Sequence, residues 1–118
     1  MNIVKGNDGG VVFGSTPNSY YRAYIDSEGT YTLLQYTKSD NQTLTLQSGS
    51  SSAINTGLNQ TNVITVIVNN SNFYFDVNNQ YVTSDTLSNY SQGAVSLTAE
   101  SVDQATDVVF SNLKAWTF

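Results

Sequence analysis

The stretch from Asn62 to Ala99 limits this chain more tightly than any other. It reads Asn62-Val-Ile-Thr-Val-Ile-Val-Asn69, then Asn72-Phe-Tyr-Phe-Asp-Val-Asn-Asn79, then Gly93-Ala-Val-Ser-Leu-Thr-Ala99. Three short runs rich in β-branched and aromatic residues are separated by Asn, Ser and Gly clusters, the pattern of consecutive antiparallel strands. The pairs Asn69-Asn70 and Asn78-Asn79 fall where a tight hairpin needs positive φ, which Asn tolerates better than any residue except Gly. Asp107-Val-Val-Phe-Ser-Asn-Leu-Lys-Ala-Trp116 reads as a closing strand.

Extending this reading along the chain predicts about nine strands and no helix. Asn2 to Lys5 and Gly10 to Ser15 open the domain, and Thr16-Pro17-Asn18-Ser19 is a turn. Tyr20 to Asp26 and Thr30 to Lys38 form a hairpin around Ser27-Glu28-Gly29, followed by Thr43 to Gln47 and a flexible Gly49–Ser52 connection, after which Ala53 and Ile54 touch the core. Asn62 to Asn69, Phe73 to Val77 and Gln80 to Thr83 make a meander, and Ala94 to Ala99 and Thr106 to Trp116 complete one domain spanning residues 1–118. Period-two alternation places Tyr21, Ala23 and Ile25 inward and Tyr20, Arg22, Tyr24 and Asp26 outward. It predicts a core of Phe13, Ile25, Leu33, Leu44, Leu46, Ile64, Val66, Val68, Phe73, Phe75, Leu97 and Phe110, with Asn62–Asn69, apolar on both sides, as a central strand. The fold class is therefore all-β, a two-sheet antiparallel β-sandwich.

Composition removes several functions. Without Cys or His there is no disulfide framework, thiolate site, Ser-His-Asp triad or ordinary zinc site. A net charge of −5, with only Lys5, Arg22, Lys38 and Lys114 as bases, excludes the cationic stripe that nucleic acid requires. No apolar run is long enough to span a membrane, and Met1-Asn-Ile-Val-Lys5 lacks the apolar core of a signal peptide. Ser, Thr, Asn and Gln supply 50 of 118 residues, so solubility is carried by uncharged hydrogen-bonding surface. That favours a secreted or cell-surface setting.

The order of these segments, with Gly9-Gly-Val-Val-Phe13 near the start and Ser52-Ala-Ile-Asn-Thr-Gly57 in the middle, resembles the concanavalin A-like jelly-roll sandwiches. The likeness is to the bacterial type found in multidomain proteins, allied to carbohydrate-binding and laminin G-like modules. Gly57 and Gly93 occupy family-like positions, where they would allow turns or close backbone approach, and the Asn112 amide would tie a neighbouring loop. Two positions depart from the pattern. Gly14 stands where relatives usually carry a basic residue, and Asn78-Asn79 replaces the common Asn-Gly turn. The family's domain begins with further strands before the part equivalent to Met1, so the resemblance implies a jelly roll lacking its N-terminal strands. An edge left open in that way invites self-association or complementation by such a segment.

Tyr20, Arg22, Tyr24, Tyr36, Tyr74 and Asp76 form the candidate ligand-binding set. Flat rings stack on the C–H faces of sugars, while Arg and Asp bond to hydroxyls. The expected function is a non-catalytic carbohydrate-binding-like module with a polysaccharide or glycan as partner. The alternative is a structural or adhesion-stalk domain that takes no small ligand. Glycosidases on this kind of fold need two carboxylates set across a cleft, and no Glu-x-Asp-x-x-Glu strand is present, so no enzyme activity is expected. No cofactor is required. Asp8, Asp26, Glu28, Asp103 and Asp107 offer hard oxygen donors for a structural calcium, although no Asp-x-Asp-x-Asp-Gly loop occurs. Trp116 reads as a packing residue at a sheet edge.

Overall fold

A computed structural model describes residues 1–88, 90, 93–100, 105–112 and 114. Ten strands follow in chain order: β1 Asn2–Lys5, β2 Asp8–Ser15, β3 Ser19–Asp26, β4 Thr30–Thr37, β5 Gln42–Ser50, β6 Ile64–Asn69, β7 Asn72–Val77, β8 Gln80–Thr86, β9 Ala94–Glu100 and β10 Asp107–Val109. They build a five-stranded sheet of order β5-β4-β3-β2-β9, a three-stranded sheet β6-β7-β8, and a β1-β10 pair. Every pairing among the described residues is antiparallel. The protein is an all-β sandwich.

Alternation decides what lies between the layers. Tyr21, Ala23 and Ile25 on β3 and Leu33 on β4 point to the same side as Phe13 on β2, and all are buried. Phe73, Phe75 and Val77 on β7 face them, also buried. The sheets meet where the Phe13 and Phe73 rings stack at 5.5 Å and 4°, while Phe13 also stacks on Tyr21 at 5.5 Å. Ala53 and Ile54 enter this core from the loop after β5, as expected. At the β5 end the layers are joined by side chains: Gln47 Nε2 donates to Asp85 Oδ2 at 3.3 Å, and Thr83 Oγ1 donates to Gln47 Oε1 at 3.5 Å.

Several expectations need correction. Among the described strands Asn62–Asn69 is not central: β7 is the middle one of its sheet and β6 lies at the edge, and Ile64, Val66 and Val68 are only half-buried. Leu44 and Leu97 point inward but are 59% and 38% exposed, because the three-stranded sheet is too narrow to cover both ends of the five-stranded one. Leu46 and Phe110 are half-buried. Gly49 is not a flexible connector but part of β5, opposite Tyr31. A side chain there would come within 2.8 Å of the Tyr31 hydroxyl, so the missing Cβ lets the ring lie flat over the strand. Gly93 makes the expected close approach, with Ser15 backbone where its Cβ would be. Asn112 lies beyond β10, exposed and at φ 56°, rather than on a shared strand face with Phe110. The positions of Asp103 and Trp116 lie outside the described residues.

Asparagine carries the tight turns. Among the described residues, the six non-glycine positions with positive φ are all Asn: 41, 59, 70, 78, 79 and 112. Asn78 does more than turn the chain. Its Oδ1 accepts the Val63 N–H at 2.8 Å, and its Nδ2 donates to Ala53 O at 2.8 Å and Asn62 Oδ1 at 2.9 Å. Asn62, 4% exposed, also accepts from Asn55 N and donates to Asn55 O, at 2.8 and 3.1 Å. Its backbone carbonyl accepts from the Met1 amino group at 2.8 Å, and its N–H returns a bond to Met1 O. Four segments distant in sequence thus meet at one satisfied amide, as a buried polar group requires.

Candidate functional site

The outward face of the five-stranded sheet gathers four of the six candidate residues. Cross-strand register lays them in rows: Tyr20 opposite Tyr36, Arg22 opposite Leu34, and Tyr24 opposite Thr32. β5 extends the rows, with Thr43 beside Tyr36 and Thr45 beside Leu34. Tyr20 and Tyr36 stack with centroids 5.1 Å apart and planes at 28°. The Tyr36 hydroxyl donates to Asn41 Oδ1 at 3.0 Å, which fixes the ring from the turn after β4. Both rings, and that of Tyr24, are half-exposed.

Arg22 stands differently from its expected role. It is 4% exposed and is held by two carboxylates: Nη2 pairs with Asp8 Oδ1, and Nη1 with Glu100 Oε2 at 2.8 Å. Nε donates to Thr98 Oγ1 at 3.3 Å, and the guanidinium carbon lies 3.9 Å from the centre of the Tyr24 ring. Asp8 and Glu100 are register partners on β2 and β9. Gly10 lies between them and Tyr24, and a Cβ there would sit 2.6 Å from Tyr24 Cα and Cβ; the bare backbone is what lets the cluster close. Burial pushes the Asp8 carboxyl above the ordinary carboxylate range, with the bond to Arg22 and its charge opposing that rise. Arg22 therefore orients Tyr24 from beneath instead of presenting its donors to a ligand.

Tyr74 and Asp76 do not join this face. They alternate with the buried Phe73, Phe75 and Val77 on β7, so they point outward from the other sheet, across the core. Tyr74 is 43% exposed there, and its neighbour across β8 is Ser84. Tyr81, 65% exposed, pairs opposite Asp76 and was missed by sequence reasoning. Its signal was a large aromatic in a short polar run, with no alternation to show its face. Asp8 and Glu100 were missed as partners of Arg22, because sequence separations of 14 and 78 residues hide such a cluster.

Among the described residues the calcium donors are not gathered. Asp8 is spent on Arg22, and Asp26 caps its own turn, accepting from Glu28 N, Thr30 N and Thr30 Oγ1. Among the described residues no three acidic, His or Cys side chains converge, and no helix there is long and apolar enough to cross a membrane. Comparison with family models, curated proteins and solved structures finds no match in any of the three.

Proposed function

We propose that this domain is a non-catalytic carbohydrate-binding module, of the concanavalin A-like kind its sequence resembles, taking a glycan along the outward face of β3, β4 and β5. The observation that supports this reading is the stacked Tyr20–Tyr36 pair, in line with Tyr24 and bordered by the Thr32, Thr43 and Thr45 hydroxyls. Rings held in fixed orientation lose little freedom on binding, so a weak stacking contact is not offset by ordering costs. A bacterial secreted or cell-surface setting fits the neutral polar exterior.

The test is titration calorimetry against a panel of soluble polysaccharides. Saturable binding should be weakened at least about tenfold in Tyr36→Ala and Tyr20→Ala, roughly the loss of one aromatic contact, and be unchanged in Tyr74→Ala. Binding lost through Tyr74→Ala alone would move the site to the other sheet. One observation favours the structural or adhesion-stalk reading: the guanidinium, the strongest donor on this face, is consumed inside the fold. Silence across the whole panel would select that reading.

A further inference from the structure

The turn between β4 and β5 is also an acceptor sequence for N-linked sugar, because Asn41-Gln42-Thr43 has the Asn-x-Thr pattern. The pattern recurs at Asn59-Gln60-Thr61, Asn69-Asn70-Ser71 and Asn89-Tyr90-Ser91. A chain so rich in Asn, Ser and Thr yields it by chance, so the fold must separate the four. Asn89 lies outside the described residues. Asn69 closes β6 opposite Asn72, and Ser71 is half-buried, its carbonyl accepting the Leu87 N–H at 2.7 Å. Asn41 and Asn59 both stand in exposed turns at positive φ, 48° and 62°, within identical tripeptides. Of the two, Asn41 alone bonds an aromatic side chain. The Tyr36 hydroxyl donates to its Oδ1 at 3.0 Å, which fixes the amide and leaves Nδ2, the atom that would carry a sugar, without a hydrogen bond among the described residues. Cross-strand register sets Tyr20, Tyr36 and Thr43 in one row. Tyr20 stacks on Tyr36, so the other face of the Tyr36 ring looks over Thr43, which is exposed.

We propose that Asn41 is a glycosylation site whose first sugar seats against the free face of Tyr36 and the Thr43 methyl group. Transfer joins Asn41 Nδ2 to the anomeric carbon of a glycosyl phosphate donor and breaks that carbon's bond to the phosphate oxygen. The oxygen leaves with the electron pair, and the amide releases one proton. Oδ1 is unchanged by the reaction and keeps its bond from Tyr36. A separate transferase must take hold of the tripeptide, and the hairpin allows it. Among the described strands β5 is an edge, and Tyr36–Thr43 and Thr37–Gln42 are the last two pairs it makes with β4. Fraying at such an end costs little and leaves the rest of the sheet closed. Once attached, the sugar meets a ring already held by Tyr20 and Asn41, so little further freedom is lost. It occupies the ring face that a free glycan needs, so modification and the binding proposed above exclude each other at Tyr36. The modification rests on the secreted or cell-surface setting and not on that binding.

The probe is the full chain exported behind a cleavable leader from a host with an N-glycosylating secretory pathway. Mass spectrometry after enzymatic release, which leaves Asp at each modified Asn, should find Asn41 occupied. Stability is then read in a chain where Thr61→Ala, Ser71→Ala and Ser91→Ala remove the other three motifs. Its glycosylated form should melt about 3–6 °C above the same chain made without the pathway, the shift that one aromatic contact gives a domain of this size. Tyr36→Ala should abolish that difference. In the reciprocal chain, where Thr43→Ala replaces Thr61→Ala and only the Asn59 motif remains, the sugar should give no gain. Asn41 left bare would overturn the site, whether or not Asn59 is modified. No gain at Asn41, or a gain that survives Tyr36→Ala, would overturn its seat on the ring.

Discussion

Two buried polar centres hold this sandwich together, and they work by opposite means. The Asn62 corner is built of amides from the loop after β5 and the β7–β8 turn, joined by the Met1 ammonium, which donates to the Asn62 backbone carbonyl. The Arg22 cluster is charged, with one guanidinium between Asp8 and Glu100. Removing a partner from a buried ion pair strands a charge, whereas removing an amide strands only dipoles. The ion-paired centre should therefore be the more brittle; it titrates through Asp8, whereas the amide corner titrates through the Met1 amino group, whose proton burial loosens.

Arg22→Met should give the largest effect, a loss of about 3–5 kcal/mol in urea unfolding at neutral pH, because Asp8 is left ionised without its counter-charge. Its sign with pH is fixed. The folded-state pKa of Asp8 already lies above its unfolded value, so the folded protein holds the proton more tightly and stability falls as pH rises through that window. Without Arg22 the window widens upward, and the deficit should shrink as pH falls toward 4. Wild-type stability that rose with pH through this window would show instead that Asp8 is stabilised as an anion. Asn62→Ala should cost less, about 2–3 kcal/mol, from the orphaned Asn55 and Asn78 groups, and the loss itself should not vary with pH, because the Met1 ammonium bonds the backbone carbonyl that the variant keeps. A pH-dependent loss there would erase the contrast between the two centres.

Asn78→Gly keeps the left-handed backbone but drops three side-chain bonds, and should cost about 1 kcal/mol. Asn79→Gly is the smallest effect and runs the other way. Asn79 sits at φ 62° with no side-chain bond among the described residues, so relief of backbone strain should raise stability by a few tenths of a kcal/mol. Thermal melts of the two variants side by side test whether the turn needs an amide at one position only.

Much of the architecture was legible because period two is local. Phe73-Tyr-Phe-Asp-Val77 declares its own two faces, and so does Tyr20 to Asp26. Alternation states in or out, but not which sheet a face belongs to. Tyr74 and Tyr24 read alike in sequence yet stand on opposite sides of the core. Strand order is likewise non-local: Asn62–Asn69 carries a central strand's composition at an edge, and Leu97 is inward-facing on a strand that the other sheet does not reach. Arg22 read as a surface base because both of its carboxylates come from other strands.

The β1-β10 pair has a mechanical consequence. Asn2 lies opposite Val109, so tension applied through Met1 and through the residues just after Val109 pulls on the same end of a short ladder. Hydrogen bonds loaded that way break in succession, like a zipper, instead of resisting together in shear. The register shift between Ile3 and Lys5 shortens the uninterrupted ladder still further. Pulled through those two points, the molecule gives way first at Asn2 and Val109, at low force, while the stacked Phe13–Tyr21–Phe73 layer stays closed.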